Sequence, residues 1–128
     1  LGEREDARNA LRWADERYDT VGVFGFSFGG AIAALAAATT EVDLCAVSLL
    51  APAAELPAGL DAAAALGDVR APVQVVYATR ADTAGWAPVV EAARDLDCDV
   101  VELDSDHFFV GMLDTVAGTV GPFLVDAC

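Results

Sequence analysis

The sequence predicts an α/β fold, with a parallel sheet of about four strands and helices on both faces. Segments with helical periodicity alternate with short apolar runs, in the order α and then β-α four times, which is typical of this class. The apolar runs lack polar alternation, as in strands that are buried on both faces. No repeat or linker divides the chain, so we expect a single domain over residues 1–128.

The first half of the chain contains two predicted strands and two predicted helices. Apolar residues recur at helical spacing near the start, between acidic and basic residues, which predicts an amphipathic helix. A glycine-containing apolar run follows, then an alanine-rich segment, then a second apolar run. The predicted ranges are helix 3–18, strand 21–26, helix 30–39 and strand 44–50.

The second half is predicted to contain two more strands. The alanine-rich segment 53–70 carries proline and glycine and predicts a loop with a short helix. From residue 109, apolar residues share one helical face, and Gly121 and Pro122 are expected to kink or split this last helix. The other ranges are strand 72–78, helix 86–96, strand 99–103 and loop 104–108.

A serine between glycines follows the first predicted strand. The run Gly25-Phe26-Ser27-Phe28-Gly29 matches the pattern G-x-S-x-G, and its position between a strand and a helix is typical of a nucleophile elbow. The glycines Gly25 and Gly29 suit this sharp turn, because we expect a Cβ at either position to clash.

Reactive side chains follow three of the predicted strands. Ser27 follows the first, Asp82 the third, and His107, the sole histidine, the fourth. The carboxyl ends of parallel strands share one edge of a sheet, where active sites collect. Imidazole can take the serine proton near neutral pH, a carboxylate can orient the imidazole, and the Phe28 N–H can hold an oxyanion.

These residues also have simpler interpretations. A bare G-x-S-x-G occurs by chance in glycine-rich turns, and a lone histidine in a polar loop is often merely solvated. Asp104 and Asp106 are nearer to His107 in sequence than Asp82, but such close neighbours rarely reach Nδ1 of the same ring from a useful side. The order Ser27, Asp82, His107 favours a catalytic triad.

The charge is strongly acidic. There are 21 acidic residues against 7 basic ones, all arginine, and the net charge is −14. This charge repels nucleic acids and anionic membrane surfaces, so neither is expected as a partner. The composition resembles that of proteins from salt-loving archaea, whose dense surface carboxylates are screened by salt.

Cysteine usage and the chain start favour a cytoplasmic protein. Cys45, Cys98 and Cys128 form no metal-binding spacing, and an odd count without a visible signal peptide indicates reduced thiols. No apolar run reaches the roughly 20 residues that a membrane span needs. No cofactor or metal is expected.

Four segments carry a resemblance to a known family, the small, lidless α/β-hydrolases related to dienelactone hydrolases. The elbow and the run Asp106-His107-Phe108-Phe109 are the most specific, and the others are residues 2–6 and 10–13. The resemblance implies that Ser27 is the nucleophile, His107 the base and Asp82 its orienting acid. The aspartate stands one residue later than the family pattern places it.

The resemblance spans only the C-terminal part of that fold. Such hydrolases have further strands before the first helix of this chain, with a loop that supplies the second oxyanion N–H. Without them, strand 21–26 would be an exposed apolar edge, so we expect self-association into a homo-oligomer through this strand.

The functional expectation is a serine hydrolase acting on an ester, thioester or related acyl bond of a small substrate. The aromatic residues nearest the elbow are candidates for an acyl pocket, although core packing is the commoner fate of such residues. The alternative is a non-catalytic remnant of the fold that serves as a binding or assembly module.

Overall fold

The fold is built on a four-stranded parallel sheet. The structure is a computed structural model that describes residues 2–53, 61–80 and 86–128. Within these ranges the strands follow one another in the order β1-β2-β3-β4, all parallel. They are β1 Gly22–Phe26, β2 Ala46–Leu50, β3 Val73–Ala78 and β4 Asp99–Leu103. The predicted parallel sheet of four strands is therefore confirmed.

Helices cover both faces of this sheet. Among the described residues, four helices precede β4 and one follows it: α1 Gly2–Asp15, α2 Phe28–Thr39, α3 Ala62–Ala65, α4 Ala87–Asp95 and α5 Leu113–Ala127. A 3₁₀ turn, Leu66–Asp68, continues α3. In the ranges that the structure describes, no helix has the length and apolarity to cross a bilayer.

The two faces have separate cores. On one face α2, α3 and α4 pack against alternate residues of β2 and β3, among them Val47, Leu49 and Val75. On the other face α5 covers Leu50 and Val76. Because both faces of β2 and β3 are covered, all eleven of their residues are buried. This burial explains why both strands are mostly apolar and lack polar alternation.

Two buried polar residues interrupt this apolar pattern. Ser48 Oγ donates to Gln74 Oε1 at 2.8 Å, and Gln74 Nε2 donates to Asp99 Oδ2 at 3.1 Å. The three residues are register partners on β2, β3 and β4. Each polar group is thus satisfied by its cross-strand neighbour, as burial requires.

The last helix begins later than predicted. Phe109 has a left-handed backbone, φ 54°, and the Asp106 carboxylate accepts the N–H groups of Phe108 and Val110. This turn is incompatible with helix at residue 109, so Val110 is 76% exposed instead of lying on a buried helical face. The prediction at Pro122 was a kink or a split, and the split does not occur because α5 continues through this residue.

A disulfide joins α5 to the sheet. Cys45, just before β2, is bonded to Cys128, with their Cα atoms 5.2 Å apart. The expectation of reduced thiols is wrong for these two residues, and Cys98 is the free cysteine. Sequence spacing did not reveal the pair because 83 residues separate it and only the fold brings its members together. The cytoplasmic location rested partly on reduced thiols and stays a prediction.

The first strand forms an edge of the sheet, as expected. It pairs with β2 alone among the described strands. Phe24 is 45% exposed in the middle of β1. The expected apolar edge is therefore present.

Candidate active site

Ser27 lies at a strained turn between β1 and α2. Its backbone has φ 55° and ψ −117°, a conformation that costs a non-glycine residue on the order of 1–3 kcal/mol and is typical of functional sites. The turn is held by neighbouring backbone: Ser27 N–H donates to Leu50 O at 2.9 Å, and Ala53 N–H donates to Ser27 O at 3.2 Å. The loop after β2 thus fixes the elbow from one side.

Close backbone approach explains two of the glycines around this turn. A Cβ on Gly25 would collide with the Gly29 carbonyl oxygen and lie 2.8 Å from the Gly30 Cα. A Cβ on Gly30 would lie 3.2 Å from Gly25 O and from Pro52. At Gly29 a Cβ would meet nothing within 4 Å. The expectation that Gly29 is sterically required was wrong, because a Cβ on this residue would point into open space.

The structure brings Ser27 and His107 together. Ser27 Oγ lies 3.0 Å from His107 Nε2, a hydrogen bond across 80 residues of sequence. Ser27 is also the N-cap of α2, but its side chain makes no capping bond. The hydroxyl is therefore directed at the imidazole rather than at the helix. This is the spacing at which a base can take a hydroxyl proton.

The second ring nitrogen of His107 has no partner among the described residues. His107 is 9% exposed, and its Nδ1 is buried without a hydrogen bond. Asp82, the predicted orienting acid, lies in segment 81–85, outside the described residues. The chain leading to that segment runs beside the histidine loop, since Arg80 N–H donates to Ser105 O at 3.0 Å.

The two acids nearer in sequence have other partners. Asp104 Oδ1 accepts a hydrogen bond from Arg80 Nε at 2.8 Å. Asp106 Oδ1 accepts the backbone N–H groups of Phe108 and Val110 at 3.1 and 3.2 Å. Asp104 therefore acts as an ion-pair partner and Asp106 as a turn-forming residue.

Phe28 supplies a backbone donor beside Ser27. It is the first residue of α2, so its N–H has no intrahelical acceptor. The N-terminus of a helix also carries positive partial charge, which favours a developing oxyanion. The predicted oxyanion donor thus has the required type of environment.

Two aromatic residues near the elbow contact His107. The Phe26 ring stacks on the imidazole with centroids 5.5 Å apart, and the Phe108 ring meets it edge-on at 5.0 Å. Phe109 is buried in the core below α5, and Trp86 packs against Tyr77. Those two belong to the cores.

The residues at the end of β2 that hold the elbow could not be recognised from the sequence. The Leu50 carbonyl accepts the Ser27 N–H, and Ala51 has a left-handed backbone with φ 46°. Pro52 lies where a Cβ on Gly30 would meet it. The only sequence signal was a proline directly after a buried strand, which marks a strand end but not a contact with the elbow.

Comparison with known proteins relates this chain to one fold. Neither a protein-family model nor a curated protein matches the chain by sequence. Solved structures do match. A Xanthomonas campestris protein of the alpha/beta hydrolase superfamily superposes with a TM-score of 0.78 at 22% identity, over 98% of this chain and 67% of that protein.

Two further structures superpose with similar scores. An esterase of Pyrococcus furiosus has a TM-score of 0.78 at 14% identity and covers 94% of this chain. An alpha-beta serine hydrolase homologue of Coxiella burnetii has a TM-score of 0.75 at 25% identity, also over 94% of this chain. The chain spans 60% and 57% of the length of these two proteins. It therefore has the C-terminal half of the α/β-hydrolase fold.

Proposed function

We propose that this chain carries the nucleophile and the base of a serine hydrolase that cleaves an ester, thioester or related acyl bond of a small substrate. The observation that carries the proposal is the 3.0 Å contact between Ser27 Oγ and His107 Nε2 at a strained strand-to-helix turn. The hydrolases and esterases among the fold neighbours support it.

The proposed reaction begins with attack by Ser27. As Ser27 Oγ bonds to the substrate carbonyl carbon, its proton passes to His107 Nε2, and the carbonyl oxygen becomes an oxyanion next to the Phe28 N–H. The oxyanion then collapses, the bond to the leaving group breaks, and the leaving group takes the proton from the imidazolium. Water, deprotonated by His107, hydrolyses the acyl-serine and restores the hydroxyl.

Asp82 is proposed as the acid that orients His107. A buried imidazole N–H without a partner costs about 1–3 kcal/mol, and Nδ1 of His107 has no partner among the described residues. Of the aspartates considered, Asp104 and Asp106 have other partners. A carboxylate from segment 81–85 would satisfy Nδ1 and stabilise the imidazolium.

Turnover of p-nitrophenyl acetate tests the proposal. We expect a slow hydrolysis that depends on Ser27 and is lost in Ser27→Ala. Loss of one oxyanion donor lowers such rates by about 10²–10³, so even a slow hydrolysis supports the proposal if it depends on Ser27. Equal rates for the wild type and Ser27→Ala would contradict the proposal and favour a non-catalytic binding module.

A matched pair of variants tests the acid separately. Asp82→Asn keeps the shape but removes the charge that holds the imidazole tautomer, and we expect a loss of about 10²–10⁴ in kcat. Asp104→Asn removes the same charge from an exposed ion pair and should keep the wild-type rate within about twofold. Similar losses in both variants would reject Asp82 as the orienting acid.

A further inference from the structure

The reacting atoms of the proposed site lie beside exposed aromatic rings. Phe26 directly precedes Ser27, and Phe28 directly follows it. Phe108 directly follows His107 and meets the imidazole edge-on, while Phe26 stacks on its face. We name Phe26, Phe28 and Phe108 the aromatic platform.

The side chains of the platform are more exposed than a phenylalanine in the core. Phe26 is 37% exposed, Phe28 47% and Phe108 68%, whereas Phe109 is 2% exposed. The buried Phe109 ring packs edge-on against the Phe26 ring, with centroids 6.4 Å apart. Clustered exposed apolar surface is unfavourable in water and commonly marks a ligand site. Phe26 and Phe108 contact the His107 ring, and Phe28 adjoins Ser27 in the chain, which indicates a substrate contact.

The charges around the platform disfavour an anionic substrate. The chain carries a net charge of −14, and Asp104 and Asp106 lie on the same loop as His107. The nearby Arg80 is already paired with Asp104. A substrate carboxylate would therefore meet repulsion, and none of the described contacts of the platform involves an arginine.

We propose that the site acts on uncharged acyl compounds whose acyl group carries an aromatic or similarly flat apolar ring. This inference rests on the proposed hydrolase function. In the acyl-serine the acyl group is attached to Ser27 Oγ, next to the platform residues on either side of it. The ring of the acyl group packs against Phe28 and Phe108 and removes their apolar surface from water.

Three p-nitrophenyl esters with one leaving group test this inference. The phenylacetate carries a ring, the acetate lacks it, and the hemisuccinate carries a charge. After correction for their spontaneous hydrolysis rates, we expect kcat/KM to favour the phenylacetate over the acetate by about tenfold or more. The hemisuccinate should be the poorest substrate.

Variants of the platform attribute this preference to its rings. Phe108→Ala and Phe28→Ala should each lower the phenylacetate-to-acetate ratio by about five- to tenfold, mainly through KM for the phenylacetate. The matched control is Tyr18→Ala, which removes a 61% exposed ring that lies outside the platform and should leave the ratio unchanged. Circular dichroism checks that each variant is folded. If one of the two platform variants misfolds, the other still tests the inference.

Each outcome separates the two proposals. Ser27-dependent turnover with no preference for the phenylacetate would overturn the inference about the aromatic ring and leave the hydrolase proposal intact. Equal turnover of the hemisuccinate and the phenylacetate would overturn the charge argument. Turnover that is independent of Ser27 on all three esters would overturn the hydrolase function and this inference with it.

Discussion

At the scale of single residues, the elbow depends on the absence of side chains at two positions. The backbones of Gly25 and Gly30 approach so closely that a Cβ on Gly25 would collide with the Gly29 carbonyl. Ser27 is held between them with a left-handed backbone, at φ 55°. The hydroxyl reaches His107 only because this turn is sharp.

Alanine substitution at Gly25 and Gly29 tests this account of the turn. Gly25→Ala forces backbone atoms apart, and we expect a loss of about 1–3 kcal/mol in the free energy of unfolding. Gly29→Ala is the matched control. Gly29 lies in α2, and a Cβ at this position would meet nothing within 4 Å. This variant should be neutral or stabilise the protein by up to about 1 kcal/mol. Urea unfolding of both variants measures the difference, and equal effects would contradict the account.

Ser27 and His107 could be predicted from the sequence, but the residues that hold the turn around them could not. Ser27 and His107 follow from the elbow pattern and from a single histidine after the fourth strand. Gly30 and Pro52 could not be recognised, because their role depends on a backbone contact between distant segments. The stacking of Phe26 on His107 likewise requires the fold, since 81 positions separate the two residues in the chain.

At the scale of elements, α5 covers one face of the sheet almost alone. Its Val120 is buried with Leu50 and Val76, and its last residue leads directly to Cys128, which is bonded to Cys45. The helix follows the loop that carries His107. The disulfide therefore fixes the far end of the element that begins beside the candidate site.

Removal of this disulfide should destabilise the chain. The bond spans 83 residues, for which the chain-entropy model gives about 4.5 kcal/mol at 25 °C, within a usual range of 2–5 kcal/mol. We expect the double variant Cys45→Ser with Cys128→Ser to unfold at a clearly lower urea concentration than the wild type. Dithiothreitol should lower the wild-type midpoint in the same way.

The matched control is Cys98→Ser, which removes the free thiol and should change the midpoint little. Burial and the charge of Asp97 raise the pKa of the Cys98 thiol, so it stays protonated at neutral pH and is a poor partner for disulfide exchange. An unchanged midpoint in the double variant would show that packing alone holds α5 on the sheet.

Element order could be predicted from the sequence, whereas the start of the last helix could not. Periodicity placed all four strands to within two residues of their observed bounds. It failed at residue 109 because the Asp106 carboxylate forms a turn with Phe108 and Val110. Such a side-chain bond competes with helix without changing the apolar pattern.

At the scale of the whole molecule, the edge strand β1 carries no charged residue, although the chain is acidic. Grooves of about 290 and 360 Å³ lie along this strand, one toward α1 and α2 and one toward the end of α5. None of their lining residues is charged, although the net charge is −14. An uncharged edge with free backbone groups is suited to pairing with a copy of itself.

We propose that two copies of this chain pair through β1 when salt screens their charge. Sedimentation velocity should show a monomer at low ionic strength and a dimer in molar KCl, where the Debye length falls to about 3 Å. Phe24→Asp places a charge in the middle of the strand and should abolish the dimer. Leu96→Asp adds the same charge at a 48% exposed position on another element and should not. A wild-type monomer at all salt concentrations would contradict the proposal.

Ser27 is proposed to be a nucleophile activated by His107, and covalent labelling tests this claim. Folded wild-type protein is incubated with a fluorophosphonate probe, and the modified peptide is identified by mass spectrometry. We predict one adduct on Ser27, lost in Ser27→Ala and strongly slowed in His107→Ala. The absence of an adduct on Ser27 in the folded wild type, or labelling at an equal rate without His107, would contradict the claim.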